Sequence, residues 1–203
     1  MRVGVIGAGH MGEAVARLLA RAGHSVVVAN SRGPESLRSL VAALDGDVRA
    51  GTAAEAAQAE VVFLATPYGR NAGVLAEAPP AAGAVLVDVS NFYAGRDGSG
   101  ADPAPKASSV VTAELAPGAR VVKALNTVHW RRLADEDRPD GPERLGVPVA
   151  GDDADAKELV AGLLRDMGLD PVDAGDLAAS LQQEPGGPAY NQPWTADQLR
   201  AAL

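Results

Sequence analysis

The feature that most constrains this chain is the segment GAGHMG at residues 7–12, because of what stands on either side of it. The apolar run RVGVI at 2–6 predicts a buried parallel strand. The apolar spacing that follows the segment predicts a helix that stops at Gly23. A strand, a glycine-rich turn and a helix in this order are typical of the first unit of a doubly wound α/β sheet.

Each position of this G-x-G-x-x-G segment has a physical reason. Gly7 permits the tight turn, Gly9 lets the backbone approach a pyrophosphate, and Gly12 allows close packing of helix on strand. The N-terminus of the helix adds amide donors and a positive dipole. We therefore predict dinucleotide binding; the alternative is a glycine-rich turn without a ligand. The predicted contacts are Gly7, Ala8, Gly9, His10, Met11 and Gly12.

The end of the second predicted strand, SVVVA at 25–29, indicates which dinucleotide is bound. Asn30, Ser31 and Arg32 stand where an NAD-binding protein carries an acidic residue. Ser31 can donate to a phosphate oxygen, and Arg32 can bind it with a planar fork. A carboxylate would repel that phosphate. The segment predicts NADP(H), with a solvated Arg32 in a polar turn as the alternative.

Strand and helix patterns alternate along the rest of the chain. Further strands are predicted at 47–51, 60–66, 84–90, 120–125, 146–151 and 170–175, and helices at 34–44 and 152–168. This order predicts an α/β fold: a doubly wound, Rossmann-type parallel sheet with a small C-terminal α/β extension. We expect an NADP-binding domain at 1–125 and a small subdomain at 126–203 that continues the sheet.

Composition argues against several classes of protein. With 18 basic and 26 acidic residues the net charge is −8, so we expect no nucleic-acid partner. The chain has no cysteine, and its three histidines lack ligand spacing, so we expect no disulfide and no metal site. No secretory signal and no apolar run of about 18 residues is seen, so we expect a cytoplasmic protein without a membrane partner. The mixed charges at 135–140 predict a solvated loop.

Polar residues follow the fourth and fifth predicted strands, where ligands of such a sheet lie. Thr66, Ser90 and Asn91 could orient the carboxamide or ribose of the nicotinamide half, and Pro67 stiffens its turn. Asp88 is predicted to brace the loop rather than to act in catalysis.

The segment KALNTVHW at 123–130 ends the sixth predicted strand. Lys123 is predicted to have a structural role, paired with Asp88 or the loop backbone, while Asn126, Thr127 and His129 project toward the crevice. His129 is either a general acid, since an unperturbed imidazole titrates near pH 6.5, or a partly exposed loop residue. His10 and His24 are predicted to be exposed turn residues.

Most of the seven aromatic residues fall in loops or in the tail, namely Tyr68, Phe92, Tyr93, Trp130, Tyr190 and Trp194. The first four follow the ends of strands four, five and six, where they could stack on a flat ring substrate. The alternative is that they cover the sheet end or form a dimer contact. The loop at 91–105 is either mobile or a lid. In the tail, Thr195 and Gln198 fit a capping box.

These segments resemble the NADP oxidoreductases that depend on coenzyme F420, the 8-hydroxy-5-deazaflavin hydride carrier. The resemblance covers nearly the whole chain and rests on VGVIGAGHMG, NSRGPESL, VVFLATP, VDVSN, VKALNTV and GDDADAKELVAGLLRDMGLDPVDAGDL. Where the archaeal enzymes carry a histidine, this chain has Asn126, and their basic residue just past the Ser-Arg pair is missing here. In these respects it is closer to bacterial relatives of unassigned substrate and to the NADPH-binding domain of six-transmembrane metalloreductases.

The resemblance implies sites for both reactants. It places the phosphates of NADP at 8–11, the 2′-phosphate at Ser31 and Arg32, and the nicotinamide beside Ala65, Thr66, Pro67, Val89, Ser90 and Asn91. It places the deazaflavin ring against the C-terminal segment and against Asn126, Thr127, Val128 and Trp130. The subdomain at 126–203 would then contribute to the acceptor site.

The implied activity is hydride transfer between NADPH and coenzyme F420 in a homodimer, with little acid–base chemistry by the protein. One alternative is an NADPH-dependent reductase of another acceptor, either a flavin or a small imine or carbonyl compound. An imine or carbonyl would need a proton donor, for which His129 is the candidate. The other alternative is a non-catalytic NADP(H)-binding redox sensor.

Overall fold

The computed structural model describes residues 1–135 and 141–203. Most of the predicted loop at 135–140 therefore lies outside the described residues. Eight strands form one sheet: β1 Arg2–Ile6, β2 Ser25–Ala29, β3 Val48–Ala50, β4 Val61–Leu64, β5 Val85–Asp88, β6 Arg120–Lys123, β7 Gly146–Gly151 and β8 Asp170–Asp173. Every predicted strand is present.

Helices connect most of these strands. Their bounds are α1 His10–Arg21, α2 Arg38–Ala42, α3 Ala53–Ala57, α4 Asn71–Glu77, α5 Ala94–Asp97, α6 Ser108–Leu115, α7 Trp130–Ala134, α8 Ala154–Asp166 and α9 Ala196–Ala202. The side chain of Asp153 caps α8, and the predicted capping box of Thr195 and Gln198 begins α9. Among the described residues, no helix is long and apolar enough to cross a membrane.

The strands lie in the order β3-β2-β1-β4-β5-β6-β7-β8, and β1 to β6 are all parallel. The chain crosses over between β1 and β4, so the connections on the two sides of that point leave in opposite directions and open a crevice at the carboxyl ends. The Rossmann-type α/β prediction is confirmed.

The expectation of a wholly parallel sheet was wrong at β7, which pairs antiparallel with β6 through Val122 and Gly151. The parallel order then resumes between β7 and β8. Apolar spacing indicates that a strand is buried, but it does not encode the direction of the chain, so this reversal could not be predicted from the strand pattern.

The core lies on both faces of the sheet because alternate strand residues point to opposite sides. On one face, Val5 and Phe63 pack with Leu19 of α1. On the other face, Leu64 and Leu86 lie in a second cluster with alanines of α3. Each central strand is thus covered by helices on both sides, which keeps its carboxyl end in place.

Two segments differ from the expectation. The helix predicted at 34–44 is a 3-10 turn at Pro34–Leu37 followed by the short α2. The 91–105 loop contains α5 and a 3-10 turn at Ser99–Ala101. The polar, glycine-rich composition of this loop did not predict its short helices, which bury no residue and depend on local hydrogen bonds.

Candidate active site

The glycine segment forms the turn between β1 and α1. Gly7 has φ +110°, and a Cβ built there would lie 2.4 Å from the carbonyl oxygen of Ala65. A Cβ on Gly12 would lie 1.8 Å from the carbonyl oxygen of Gly7. Side chains are therefore excluded at both positions by the backbone of the protein itself. The predicted turn and close packing at these two residues are present.

Gly9 is different, because a Cβ built there would have no heavy atom within 4 Å. Its backbone is extended, with φ −80° and ψ −175°, and it precedes the first residue of α1. The open space beside it is next to the amide groups at the start of a 12-residue helix. A pyrophosphate fits this combination of free volume and amide donors.

A groove of about 700 Å³ runs from this turn to the end of β2. It is lined by Ile6, Gly7, Ala8, Gly9, Asn30, Ser31, Arg32, Ala53, Ala65, Thr66, Pro67, Arg70, Gly73, Val74 and Glu77. The three residues predicted after β2 to distinguish NADP(H) from NAD, Asn30, Ser31 and Arg32, thus line the same groove as the glycine segment. The lining residues from 70 to 77 belong to the turn before α4 and to α4 itself, which no motif had indicated.

The side-chain amide of Asn30 helps to hold the turn after β2. The Asn30 side chain accepts a hydrogen bond from the backbone of Arg32 at 2.9 Å and donates to Ser36 at 3.0 Å. Both Ser31 and Arg32 are exposed. Within the part of the chain that the structure describes, the Arg32 guanidinium has no carboxylate partner, so its five N–H donors are available to a ligand.

A second cavity of about 370 Å³ adjoins the groove. Gly9, Ala65, Thr66 and Pro67 line both spaces. The remaining lining residues are His10, Met11, Val89, Ser90, Asn91, Tyr93, Arg96, Asn126, Thr127, Val128, His129, Trp130, Tyr190 and Asn191. Of the predicted site residues only Gly12 lines neither space, since it packs beneath the turn. The lining residues Tyr93, Arg96, Tyr190 and Asn191 were not among the named site residues, although Tyr93 was a candidate for ring stacking and the C-terminal segment was placed against the ring.

A buried ion pair supports the floor of the second cavity. The Lys123 amine donates to Asp88 Oδ2 at 3.2 Å, to the Ser90 carbonyl at 2.6 Å and to Ser108 Oγ at 3.0 Å. Asp88 Oδ1 accepts from the Ser90 backbone at 2.9 Å and from its hydroxyl at 2.6 Å. The predicted structural roles of Asp88 and Lys123 agree with these contacts, and Lys123 uses both of its expected partners.

A hydrogen-bonded chain also orients the polar groups at the cavity wall. The Thr66 hydroxyl donates to Asn71 Oδ1 at 2.7 Å, and Asn71 Nδ2 donates to the Ser90 hydroxyl at 3.0 Å. The Ser90 hydroxyl in turn donates to Asp88. Both hydroxyl protons are therefore used within the protein. Thr66 and Ser90 can offer a ligand lone pairs, which suits the N–H groups of a carboxamide.

Two reciprocal hydrogen bonds between Asn91 and Asn126 fix the segment after β6. Asn91 Nδ2 donates to the Asn126 carbonyl at 2.7 Å, and Asn126 Nδ2 donates to Asn91 Oδ1 at 2.9 Å. Asn126 Nδ2 also donates to the Gln183 carbonyl at 2.8 Å. Leu125, just before it, has a left-handed φ of +64°. These contacts join the ends of β5 and β6 to the C-terminal segment.

Both histidines of this region are exposed, as predicted for His10 and as one of the two alternatives for His129 had it, but each has a contact that was not predicted. His10 is the first residue of α1, and its ring is stacked on Trp130 with centroids 4.3 Å apart. His129 is exposed; its Nδ1 accepts from the Arg131 backbone at 3.3 Å and so caps α7. His129 still lines the cavity, and its other ring nitrogen is the one that could act as a donor.

His24 was wrongly expected to be exposed. Its imidazole side chain is only 11% exposed, and Nε2 lies 3.2 Å from Asp166 Oδ2. The partner is more than a hundred residues away in the chain, so local sequence could not indicate it.

The aromatic residues divide into two groups. Tyr68 is buried and meets Phe92 edge to face at 5.9 Å, and neither lines the cavity. Tyr93, Trp130 and Tyr190 do line it. Burial raises the pKa of Tyr68 to about 12. Burial, followed by the hydrogen bond with Tyr93, raises the pKa of Tyr190 to about 12.

Comparison with known proteins gives consistent matches. The family described as NADP oxidoreductase, coenzyme F420-dependent, matches residues 2–92. The crystal structure of the protein SMa0349 of Sinorhizobium meliloti is similar with a TM-score of 0.87 and 36% identity, covering 96% of each chain. A protein of Arthrobacter sp. FB24, named as a candidate F420-dependent NADP-reductase, is similar with a TM-score of 0.70 and 30% identity. That match covers 89% of this chain and 87% of the other.

A curated relative extends the comparison to a different kind of reductase. The metalloreductase STEAP3 of Rattus norvegicus is 31% identical over 191 residues, which is 90% of this chain. The chain spans about a third of that relative's length, since the match covers 36% of it.

Proposed function

The chain belongs to the coenzyme F420-dependent family of NADP oxidoreductases, and from that membership we propose that it transfers hydride between NADPH and a deazaflavin, coenzyme F420. The observation that carries the proposal is the continuity of the two cavities. They share Gly9 and the segment 65–67, so a dinucleotide extended along the groove would end at the second cavity. An acceptor in that cavity would lie next to the nicotinamide.

In this proposal residues 1–125 bind the dinucleotide. The open space at Gly9 and the amides at the start of α1 take the pyrophosphate, and Arg32 pairs with the 2′-phosphate. Thr66 and Ser90, whose protons are already used inside the protein, accept from the carboxamide. When bound, NADPH supplies the hydride. The residues of the protein hold the ring in one orientation and exclude water from its reacting face.

Residues 126–203 complete the acceptor side. Asn126 is fixed by Asn91 and by the Gln183 carbonyl, and Thr127 accepts from the backbone of Asn191 at 3.0 Å. The wall therefore combines rigid backbone with the aromatic rings of Tyr93, Trp130 and Tyr190, which suits a flat ring system. Because both reactants are hydride carriers, alignment is the main task of the protein.

A second candidate is NADPH-dependent reduction of another acceptor. The match to a rat metalloreductase favours this candidate, because that protein is named for a different reduction. The acceptor would be a flavin, or an imine or carbonyl compound protonated by His129, which lines the cavity. A non-catalytic sensor is less well supported, since such a module needs no ring-sized space beside the nicotinamide. We further propose a cytoplasmic homodimer.

The test is a set of initial rates with purified protein. NADPH and NADH are compared as donors, and oxidised coenzyme F420 and riboflavin phosphate as acceptors, by the loss of acceptor absorbance. The proposal predicts rapid bleaching of coenzyme F420 with NADPH and slow bleaching in the other three combinations. Tight NADPH binding without bleaching of coenzyme F420 would contradict the deazaflavin assignment, and bleaching of the flavin would favour the second candidate.

A further inference from the structure

Two tyrosines from distant parts of the chain meet at the wall of the second cavity. Tyr93 immediately precedes α5, and Tyr190 lies in the C-terminal segment before α9. Their hydroxyl groups are hydrogen-bonded to each other, and both residues line the cavity. We call them the tyrosine pair.

The tyrosine pair is held from both sides. The Arg96 guanidinium lies 4.8 Å from the centroid of the Tyr93 ring and donates to the Asn91 carbonyl at 2.6 Å. On the other side, the Asn191 backbone donates to the Thr127 carbonyl at 3.0 Å, which anchors the chain next to Tyr190. The two hydroxyl groups are thus positioned by contacts that do not involve them.

The tyrosine pair has one more hydroxyl proton than its mutual hydrogen bond uses. Each phenol carries one O–H proton, and a bond between two phenols uses one of the two, whichever group donates. Across residues 1–135 and 141–203, neither hydroxyl has another hydrogen-bond partner. One O–H proton therefore remains for a group in the cavity.

We propose that the tyrosine pair is the hydrogen-bond donor for the acceptor, at the carbonyl oxygen or ring nitrogen that gains negative charge during reduction. This inference rests on the proposed function. In the reaction a C4–H bond of the dihydronicotinamide breaks, and the transferred hydrogen forms a new bond to the acceptor, a C–H bond on a deazaflavin or an N–H bond on a flavin. NADPH is oxidised, the acceptor is reduced, and its displaced electron pair moves to the conjugated oxygen or nitrogen. The free O–H stabilises that charge, and a proton from solvent completes the reduction.

The pair defines the acceptor class more narrowly than the cavity alone. A conjugated acceptor with a hydrogen-bond-accepting oxygen or nitrogen fits, as the deazaflavin and flavin rings do.

The test uses Tyr93→Phe, Tyr190→Phe and the double variant, with Tyr68→Phe as the matched control. Tyr68 is buried against Phe92 and does not line the cavity. Three quantities are measured: kcat/KM for oxidised coenzyme F420, the Kd of that acceptor for the protein–NADP+ complex by its fluorescence, and the Kd of NADPH.

A donor and a merely structural contact give different patterns in these variants. If the pair donates to the acceptor, each single variant keeps one free hydroxyl and stays within about threefold of wild type in kcat/KM, while the double variant falls by about 10- to 100-fold. The Kd of NADPH stays unchanged in all variants, and the Kd of the oxidised acceptor changes less than kcat/KM. If the bond only ties the two segments together, either single substitution breaks it and lowers kcat/KM as far as the double does.

Several results would overturn the inference. The first is that each single variant loses as much kcat/KM as the double variant. The second is that the double variant has the same kcat/KM as wild type and Tyr68→Phe, and the third is that the double variant also binds NADPH more weakly. In each of these cases the wild-type activity would still support the proposed function. A wild-type protein that reduces neither coenzyme F420 nor riboflavin phosphate would overturn the proposed function, and this inference with it.

Discussion

The amine of Lys123 lies 3.2 Å from the carboxylate of Asp88, and both side chains are completely buried. The two residues end the neighbouring strands β6 and β5. The same amine reaches the Ser90 carbonyl, so the pair fixes the loop that carries Ser90 and Asn91.

Lys123→Met removes the partner of a buried carboxylate, and we expect it to lower the free energy of unfolding by about 3–5 kcal/mol. Urea unfolding measures this change. The double variant Lys123→Met with Asp88→Asn removes both charges, so we expect it to regain part of the loss. A single variant that costs no more than an exposed substitution would show that the ion pair does not hold the loop.

Alanine at Gly9 and at Gly12 should separate binding from folding. Gly9→Ala points a methyl group into open space with a compatible backbone, so the protein should fold with an unchanged Tm and lose NADPH affinity. Gly12→Ala places a methyl group 1.8 Å from the Gly7 carbonyl oxygen, so its Tm should fall. Calorimetry and NADPH titration of both variants check this contrast. If Gly9→Ala binds NADPH as tightly as wild type, the pyrophosphate does not bind at this turn.

Arg32→Ala tests the recognition of the 2′-phosphate. Loss of a charge-assisted bond to the phosphate should weaken NADPH binding by about 1.5–3 kcal/mol and leave NADH binding unchanged. Equilibrium titration with each cofactor gives the two Kd values. Arg200→Ala, in an exposed pair with Asp197 on α9, is the matched control. Equal losses for NADPH and NADH would refute the assignment of Arg32.

We expect Asp97, which binds the cavity-lining residues Tyr93 and Arg96, to make this part of the structure sensitive to acid. Burial alone would raise the pKa of its carboxyl, but hydrogen bonds from Arg96 and from the backbones of Tyr93 and Gly69 outweigh burial and hold that pKa below its ordinary value. The pKa of this carboxyl is lower in the folded protein than in the unfolded chain. Its contribution to the free energy of unfolding is therefore fully present at a pH above the pKa in the unfolded chain, and it is lost as the pH falls through the pKa in the folded protein.

Asp97→Asn should therefore cost about 1–3 kcal/mol at neutral pH, and less as the pH is lowered. Urea unfolding at a series of pH values measures the difference from wild type. Asp45→Asn, at an exposed position, is the control. A difference that is constant with pH would mean that the Asp97 carboxylate does not stabilise this wall.

Local sequence was sufficient to predict several parts of the site. The strands, the roles of Gly7 and Gly12 and the bracing by Asp88 follow from short patterns whose physical cause lies within a few residues. The pairing of Lys123 with Asp88 could also be predicted, because both residues end strands that are adjacent in a doubly wound sheet.

Other parts depend on contacts between distant segments and could not be predicted. The stacking of His10 on Trp130 and the hydroxyl bond from Tyr93 to Tyr190 join residues about a hundred positions apart. The aromatic composition indicated that rings gather at the strand ends, yet it did not distinguish Tyr68, which is buried, from Tyr93, which lines the cavity. That difference depends on tertiary contacts, the edge-to-face packing of Tyr68 on Phe92 and the bond from Tyr93 to Tyr190 in the C-terminal segment.

The most direct test of the proposed function is to follow the transferred hydrogen. NADPH carrying deuterium at C4, in either the pro-R or the pro-S position, is mixed with the protein and oxidised coenzyme F420, and the reduced acceptor is analysed by mass spectrometry. The account predicts that one of the two labelled donors transfers its deuterium to the acceptor and the other retains it in NADP+. Deuterium transfer from neither donor would contradict direct hydride transfer between two carriers in this site.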